Sequence, residues 1–361
     1  LQGAGKTEQA KENYLNLILI NSKDIKSYYG LFTLDIKNIT DKLLQKLKII
    51  IKENKISLYE KSLINFIFSK ILKQKNKLKE EVNFLKIAHE NCYEANLNYN
   101  KQSDHYYYNI ISNHYNKVIF YNPVEKLSNF NYEDHIFIVG LPRSGSSLVE
   151  TIITHNHPNI TSLGEFHGIN KSILNQNGKD IYLKKFKLQI DEKKFQEDLI
   201  EKYNNFEIKN FLDKSLQNFF NIEIILQFFP NAKFIHTYRN FNDAVIGIYQ
   251  AMLPELSWAH GIQNIKEYID IYKKTINYFK EKYPKKILDV ELSTLSNQKE
   301  GEAKKILEFC NIEFDNNSLN FDKNDKLFSK TYSFLQIRKK ILKYEDKKYQ
   351  PYYYLLNENK D

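Results

Sequence analysis

The sequence predicts an α/β protein with a parallel sheet, preceded by an α-helical region. Short apolar runs rich in β-branched and aromatic residues are typical of buried strands, and they occur at residues 135–139, 233–238 and 286–290. Helical patterns lie between them, as at residues 219–229 and 264–278. Strands that alternate with helices indicate parallel pairing, because a parallel connection needs a crossover segment.

Roughly the first 115 residues carry helical periodicity instead. Apolar side chains recur there at three- and four-residue spacing, which lays one stripe along a helix, at Leu63, Ile64, Ile67, Phe68, Ile71 and Leu72. The segment Gly5–Ala10 resembles the middle of a tetratricopeptide repeat, and Leu97–Lys101 is a weaker echo of it. Their separation is not a multiple of the roughly 34-residue period of such repeats. We therefore predict degenerate helical repeats or a plain α-helical subdomain.

Residues 122–134 are typical of a connector, since Pro123 and several asparagines interrupt the pattern. We predict a helical domain at residues 1–120 and an α/β domain at residues 121–361. No apolar run reaches the roughly 18 residues that suggest a membrane span. We expect a cytoplasmic protein, although the sequence begins at Leu1 rather than Met, which leaves an upstream targeting segment open.

The composition is that of an ordinary globular protein, with 42% hydrophobic and 27% charged residues. A net charge of +9 favours anionic partners, but no nucleic-acid-binding motif accompanies it, so nucleic acid is not expected as a partner. The two cysteines, Cys92 and Cys310, exclude a disulfide framework and lack neighbours at metal-ligand spacing. Both are expected to be small buried hydrophobic residues.

The strongest local pattern is the strand, glycine turn and helix at residues 138–149, IVGLPRSGSSLV. Such a junction turns successive backbone N–H groups and a helix N-terminus toward one point, which makes an anion site. The spacing of Gly140 and Gly145 matches the phosphate loop of nucleotide-binding proteins. It therefore predicts a three-layer domain of the P-loop type.

One position separates this loop from those that bind nucleoside triphosphates. Ser146 follows Gly145, where a triphosphate-binding loop has a lysine that reaches the β- and γ-phosphates. Arg143, Ser146 and Ser147 offer charge-assisted hydrogen bonds to a smaller anionic group, with no obligatory metal. A kinase or ATPase is therefore disfavoured.

Residues 140–150, GLPRSGSSLVE, resemble the 5′-phosphosulfate loop of sulfotransferases. The similarity is closest to bacterial enzymes that fuse tetratricopeptide repeats to a sulfotransferase domain, and to the related tyrosylprotein sulfotransferases. The resemblance covers roughly residues 120–350. It continues in the expected order through His157-Pro158, Gly164-Glu165, Asp213-Lys214, Phe229–Lys233, Arg239-Asn240 and Ser333–Arg338.

The resemblance implies 3′-phosphoadenosine-5′-phosphosulfate (PAPS) as donor, adenosine 3′,5′-bisphosphate (PAP) as product, and a hydroxyl acceptor. It implies Glu165 as general base, Lys214 and Ser333 at the bridging oxygen, and Arg143 as the cation that neutralises the phosphosulfate. In-line transfer needs such positive groups where negative charge develops. Without the resemblance, Glu165 would be interpreted as a surface acid and Lys214 as one solvated lysine among many.

The resemblance also implies a donor-binding set, formed by Arg143, Ser144, Gly145, Ser146, Ser147, Leu148, Arg239 and Lys348. Within this set Arg239 binds the 3′-phosphate, which an arginine can hold bidentately. Gly247 departs from the family pattern, which usually has a Ser there, and one neutral hydrogen bond of about 1 kcal/mol is missing. Lys340 in place of a Pro and Val290 in place of a Tyr are further departures. These differences bear on nucleotide affinity rather than on the class of reaction.

The acceptor is left open by the sequence. A peptide tyrosine is the first expectation, because the basic surface suits an acidic peptide, and a glycan or small alcohol remains an alternative. A second hypothesis is a helical-repeat scaffold protein with a weakened or inactive transferase domain, in which the repeats bind a partner protein. A metal site is not expected, since no Cys or Asp completes a ligand set with His155, His157 and His167.

Overall fold

The fold was examined in a computed structural model of the chain. It describes residues 1, 5–53, 55–111, 135–157, 159–177, 193–194, 197–198, 201, 210–315, 317–320 and 341–357. The described residues form two compact units. The first contains residues 1–101 and 248–265, and the second contains residues 102–247, 266–320 and 341–357. The expected connector at residues 122–134 and the domain boundary near residue 120 lie outside the described residues, so the boundary stays a prediction.

The N-terminal region is helical, as its periodicity predicts. Its helices are α1 Thr7–Ile20, α2 Ile25–Leu34, α3 Asp41–Ile50, α4 Leu58–Gln74, α5 Leu78–Ala95 and α6 Leu97–His105. Local capping sets where α4 begins: the Ser57 hydroxyl accepts from the Glu60 N–H, and the Glu60 carboxylate accepts from the Ser57 N–H. This reciprocal pair satisfies two N–H groups that a helix start otherwise leaves unpaired.

Packing of α4 against α5 uses the apolar stripe identified in the sequence. Leu63, Ile64 and Ile67 are at most 2% exposed, and Phe68 is 8% exposed. The α1 helix packs against α2 in the same unit. Helical packing of this kind agrees with the expected α-helical subdomain, whereas the tetratricopeptide assignment stays a prediction. Among the described helices, none combines the length and apolar character needed to cross a membrane.

The second unit contains a sheet of five described strands, β1 Ile136–Gly140, β2 Thr161–Gly164, β3 Phe211–Asp213, β4 Lys233–Tyr238 and β5 Ile287–Glu291. The helices that follow α6 are α7 Ser146–Asn156, α8 Gly168–Asn177, α9 Ile222–Phe228, α10 Phe241–Ala251, α11 Ile262–Lys282, α12 Leu292–Asn297 and α13 Lys299–Phe309. All the strand pairs are parallel, and the order across the sheet is β2-β3-β1-β4-β5. The strand β1 is buried along its whole length, at the centre of the sheet.

Helices cover both faces of this sheet. On one face Ile138 and Ile235 pack into a cluster with residues of α7, α12 and α13. On the other face Phe137 stacks on Phe234, and His236 hydrogen-bonds with Tyr272 of α11. The alternation of a strand's side chains between faces thus builds two apolar layers from one segment. The expected α/β fold with a parallel sheet is confirmed.

Two strands escaped the sequence analysis, and both are short. The strand β3 has three residues, and β2 contains the polar pair Thr161-Ser162, which is exposed. Neither forms the apolar run of four or more residues by which a buried strand is recognised. Their pairing with the sheet, and not their own sequence, makes them strands. They matter because the site residues Glu165 and Lys214 follow them directly.

Candidate active site

The loop between β1 and α7 needs both of its glycines. Gly140 has a φ of 142°, and a Cβ there would lie 2.2 Å from the carbonyl oxygen of Thr237 on the adjacent strand. Gly145 has a φ of 92° and directly precedes α7, and a Cβ there would lie 2.7 Å from Leu292 Cδ1. Because any larger residue collides or is strained at both positions, the backbone of the loop is held in one path.

Within the loop, the side chain of Ser144 forms hydrogen bonds inside the protein. Its hydroxyl is buried and donates to the carbonyl oxygen of Leu141, and it lies 2.9 Å from Thr237 Oγ1. Of the expected donor-binding residues, Ser144 therefore offers its backbone rather than its hydroxyl. The helix α7 begins at Ser146, and the N–H of Leu148 donates to the Gly145 carbonyl at 3.0 Å.

Arg143 stands at the turn with a φ of 66°, a left-handed conformation that is uncommon for a residue other than glycine. Strain of this kind persists only where the surroundings enforce it, and it is common at ligand sites. Burial lowers the pKa of the Arg143 guanidinium, and the nearby Arg239 cation adds to this effect. Two guanidinium groups held close together repel each other, so an anion between them would be stabilised.

The site residues follow the carboxyl ends of adjacent parallel strands. Glu165 follows β2, Lys214 follows β3, the glycine loop follows β1 and Arg239 follows β4. These four strands are neighbours in the order β2-β3-β1-β4, so their carboxyl ends lie along one edge of the sheet. Open α/β sheets bind ligands at this edge, in the crevice where the strand order changes direction. Of the four predicted catalytic residues, three share this edge, while Ser333 lies outside the described residues.

Lys214 is buried between two carboxylates. Its side chain is 1% exposed, and its Nζ lies 2.9 Å from Glu165 Oε1 and 3.7 Å from Glu150 Oε2. The backbone holds it in place, since the Lys214 N–H donates to the Gly164 carbonyl at 2.9 Å. Glu165 is far more open, with 48% of its side chain exposed. Lys214 and Glu165, predicted as a catalytic pair, are thus brought into direct contact.

Glu150 is a site residue that the sequence analysis missed. It lies on α7 one helical turn after Ser146, and its Oε1 accepts a hydrogen bond from the Ser162 hydroxyl on β2. Burial raises the pKa of its carboxyl, while the Lys214 ammonium acts in the opposite direction. The one signal in the sequence was its spacing of four from Ser146, which places it on the face of the helix that continues from the loop.

Arg239, in the short loop between β4 and α10, is enclosed by groups from the glycine loop, from α10 and from the C-terminal segment. It donates to the Arg143 carbonyl at 3.1 Å, to the Tyr344 hydroxyl at 2.6 Å and to Asp243 Oδ2 at 3.4 Å. Its guanidinium carbon lies 4.9 Å from the centre of the Tyr349 ring and 5.4 Å from that of Tyr344. A guanidinium placed over aromatic faces is held by cation–π attraction. The residue predicted to bind the 3′-phosphate is therefore oriented before any ligand arrives.

Gly247 stands where the family usually has a serine, and the residues around it show whether another hydroxyl is close by. A Cβ at Gly247 would lie 3.5 Å from an Arg239 guanidinium nitrogen and 3.5 Å from the Tyr349 hydroxyl. Tyr349 therefore brings a hydroxyl to the side of Arg239 that position 247 faces. Lys348, the other predicted nucleotide contact, is exposed, with its Nζ 5.6 Å from the centre of the Tyr349 ring.

Two of the three histidines near the loop have contacts in the structure. The backbone N–H of His167 donates to the Ser215 hydroxyl, and His155 Nε2 lies 3.3 Å from the Asn317 carbonyl oxygen. No group of three or more His, Cys, Asp or Glu side chains is placed to hold a metal ion in the part of the chain that the structure describes. Cys92 and Cys310 are both buried free thiols, as expected.

The described strands form an open parallel α/β sheet, with the glycine loop and the charged residues Glu165, Lys214 and Arg239 at the carboxyl ends of four neighbouring strands. The sequence model of the sulfotransferase family matches residues 135–316, just over half of the chain, and the chain belongs to this family. The predicted resemblance to the sulfotransferase family is thereby confirmed. The finer relationship to tyrosylprotein sulfotransferases stays a prediction.

One curated relative of the chain is an uncharacterized protein of Aquifex aeolicus (strain VF5). The two are 24% identical over 372 residues, which cover 98% of this chain and 47% of the relative. The chain thus spans about half the length of that relative.

Two solved structures are similar to the chain. The sulfotransferase domain from the Synechococcus PCC 7002 olefin synthase is 18% identical, with a TM-score of 0.42, and the match covers 61% of this chain and 88% of that domain. The sulfotransferase domain from the curacin biosynthetic pathway is 14% identical, with a TM-score of 0.33, and covers 56% and 82% respectively.

Proposed function

We propose that this chain transfers the sulfuryl group of PAPS to a hydroxyl acceptor, with Glu165 as general base. The observation that carries the proposal is the alignment of Glu165, Lys214, the glycine loop and Arg239 along one edge of the sheet. A base, a buried cation and an anion-binding loop at one edge are the groups that in-line transfer from a phosphosulfate requires.

In the proposed reaction the acceptor hydroxyl gives its proton to the Glu165 carboxylate while its oxygen forms a bond to sulfur. The bond between sulfur and the 5′-phosphate oxygen breaks, and the electron pair stays on that oxygen, which leaves as part of PAP. The Lys214 ammonium balances the charge that develops on the leaving oxygen. The half-exposed position of Glu165 supports its role, because an acceptor from solvent can reach it.

Donor binding is divided between two places in this proposal. Arg143 and the backbone N–H groups that begin α7 bind the phosphosulfate, and Ser146, Ser147 and Leu148 supply the first turn of that helix. Arg239 binds the 3′-phosphate, with Lys348 near it. A loop without the triphosphate-binding lysine suits a donor whose 5′ chain ends in one sulfonate.

For the acceptor we propose a tyrosine in an acidic peptide. A phenol has a pKa near 10, far below that of an alkyl alcohol, so a carboxylate base deprotonates it more readily. The net charge of +9 favours an acidic segment around the tyrosine. Oligosaccharides and small alcohols are the competing acceptors, and their hydroxyl groups, with a higher pKa, are harder for a carboxylate base to deprotonate.

Ligand-dependent thermal unfolding, followed by transfer from labelled PAPS, tests the proposal. PAP should raise the melting temperature by several degrees at saturation, whereas ATP with Mg²⁺ should raise it little, since only a ligand that binds the native state stabilises it. Labelled PAPS is then offered to acidic tyrosine peptides, oligosaccharides and phenols. Stabilisation by ATP but not PAP would contradict the donor assignment. Stabilisation by PAP with no labelled product from any acceptor would favour the alternative of a scaffold protein with an inactive transferase domain.

A further inference from the structure

Glu150 is the second carboxylate on the Lys214 ammonium, and the proposed reaction gives it no role. We propose that Glu150 is a positioning residue for sulfuryl transfer: it holds the Lys214 ammonium beside the donor loop while Glu165 takes the proton of the acceptor. This inference rests on the proposed function, and it deepens that function by assigning different tasks to the two carboxylates. Its basis is the geometry around Lys214 Nζ, 3.7 Å from Glu150 Oε2 and 2.9 Å from Glu165 Oε1.

The two carboxylates differ in how firmly they are held. Glu150 lies on α7, whose N-terminus forms the end of the donor loop, and only 16% of its side chain is exposed. The Ser162 hydroxyl donates to its other oxygen, which fixes the carboxylate from the side of β2. Glu165 has 48% of its side chain exposed. The anchored carboxylate is therefore suited to holding Lys214, and the open one to meeting the acceptor.

The reaction itself creates the need for a second carboxylate. When Glu165 accepts a proton it becomes neutral, and the ion pair that it forms with Lys214 is lost. A buried ammonium without a counter-charge is strongly disfavoured and tends to lose its proton. Glu150 stays anionic through that step, so Lys214 keeps its charge when the leaving oxygen needs it.

Among the described residues near Lys214, two further titratable groups are Asp213 and His167. Asp213 is adjacent in sequence, but its Oδ1 accepts from the Ser215 N–H at 2.7 Å. Burial lowers the pKa of His167, so this side chain is neutral near pH 7 and adds no cation. Burial also raises the pKa of Glu150, and the Lys214 ammonium opposes that shift, so the charge of Glu150 is supported by Lys214.

Glu150→Gln keeps the shape of the side chain and removes its charge. We expect kcat for transfer from labelled PAPS to an acidic tyrosine peptide, and to p-nitrophenol, to fall about 10- to 100-fold, as for a group that supports charge stabilisation. The dissociation constant of PAP should change less than threefold. Both limbs of the pH profile of kcat should move to lower pH by about one unit, because removing a negative charge lets the neighbouring groups release protons more readily.

Glu300→Gln is a matched control, since Glu300 is an exposed residue in the first turn of α13, and it should leave every readout unchanged. Should Glu150→Gln fail to fold, Ser162→Ala frees the same carboxylate and should move the pH limbs in the same direction by a smaller amount. A loss of kcat with unmoved limbs would assign Glu150 a packing role only. If Glu150→Gln keeps the wild-type kcat and the wild-type pH profile, the inference is also overturned, while the proposed function stays intact. The proposed function fails separately if the wild-type chain does not bind PAP.

Discussion

Lys214 and Arg239, two buried cations of the site, are held by different kinds of partner. The Lys214 side chain is 1% exposed and pairs with carboxylates, one on the helix after the donor loop and one after β2. The Arg239 side chain is 6% exposed and pairs with Asp243 and with tyrosines of the C-terminal segment. The first arrangement places the Lys214 ammonium between two carboxylates, so that it can give up one of them for another anionic group. The second fixes a planar donor in one orientation.

We infer from this difference that Lys214 takes part in the chemistry and that Arg239 recognises the donor. An ammonium that shares two carboxylates can exchange one of them for a leaving oxygen at small cost, because its charge stays balanced. A guanidinium packed over aromatic rings is preorganised to bind a phosphate bidentately and does not need to move. We therefore expect substitutions of Lys214 to act on kcat and substitutions around Arg239 to act on donor binding.

The largest effect should follow Lys214→Met, which keeps most of the side-chain volume and removes the charge. We expect kcat to fall about 10²- to 10³-fold, because a donor to the developing charge is lost. PAP affinity should stay within threefold of that of the wild-type chain. Transfer from labelled PAPS and calorimetric titration with PAP measure the two quantities. Lys304→Met, at an exposed lysine of α13, is the control; a loss of PAP affinity alone in Lys214→Met would break the proposed division.

Arg239→Lys should act mainly on the donor. It keeps the positive charge but removes the planar fork and its stacking on Tyr344 and Tyr349, so the KM for PAPS should rise about 10-fold while kcat changes little. The preference for PAP over AMP should shrink in parallel, since the 3′-phosphate distinguishes these two nucleotides. Competition of both nucleotides with labelled PAPS measures this preference. An unchanged preference would locate the 3′-phosphate elsewhere.

Tyr344→Phe and Tyr353→Phe separate orientation of Arg239 from attachment of the C-terminal segment. Both hydroxyls bond Asp243, at 2.5 Å and 2.6 Å, but only the Tyr344 hydroxyl also accepts from Arg239. Each loss should lower the free energy of unfolding by about 1.5–3 kcal/mol, as the loss of a hydrogen bond to a charged group does. The KM for PAPS should rise only in Tyr344→Phe. Equal KM values in the two variants would mean that the Tyr344 hydroxyl does not orient Arg239.

Gly247→Ser should give the smallest change. The new Cβ makes ordinary contacts of 3.5 Å, and a serine inside a helix costs less than a glycine, so the fold should tolerate it. Because the Tyr349 hydroxyl already lies beside Arg239, the added hydroxyl should lower the KM for PAPS less than about fivefold, which corresponds to about 1 kcal/mol. The double variant Gly247→Ser with Tyr349→Phe serves as the comparison. A larger decrease of KM in Gly247→Ser, or the same decrease with and without the Tyr349 hydroxyl, would show that Tyr349 does not take the place of the missing serine.

Strand prediction succeeded where a strand is apolar and buried on its own. The strand β4 coincides with the predicted run at residues 233–238, and β1 and β5 are each displaced by one residue. The strands β2 and β3 are short or polar, and only their neighbours in the sheet reveal them. The sites that follow these two strands, Glu165 and Lys214, were consequently found through a family resemblance and not through local structure.

The amino-acid sequence by itself determined the donor loop, because Gly140, Gly145 and the helix start after them act through local backbone geometry. It also determined the family, through an ordered series of motifs. Tertiary structure alone decided that Glu150 faces Lys214 and that Tyr344 and Tyr349 enclose Arg239. Partners of this kind belong to segments up to 110 residues apart in the sequence, and the strand order β2-β3-β1-β4 brings Glu165, Lys214, the glycine loop and Arg239 to one edge. Contacts between distant segments depend on how the sheet assembles, which no local pattern encodes.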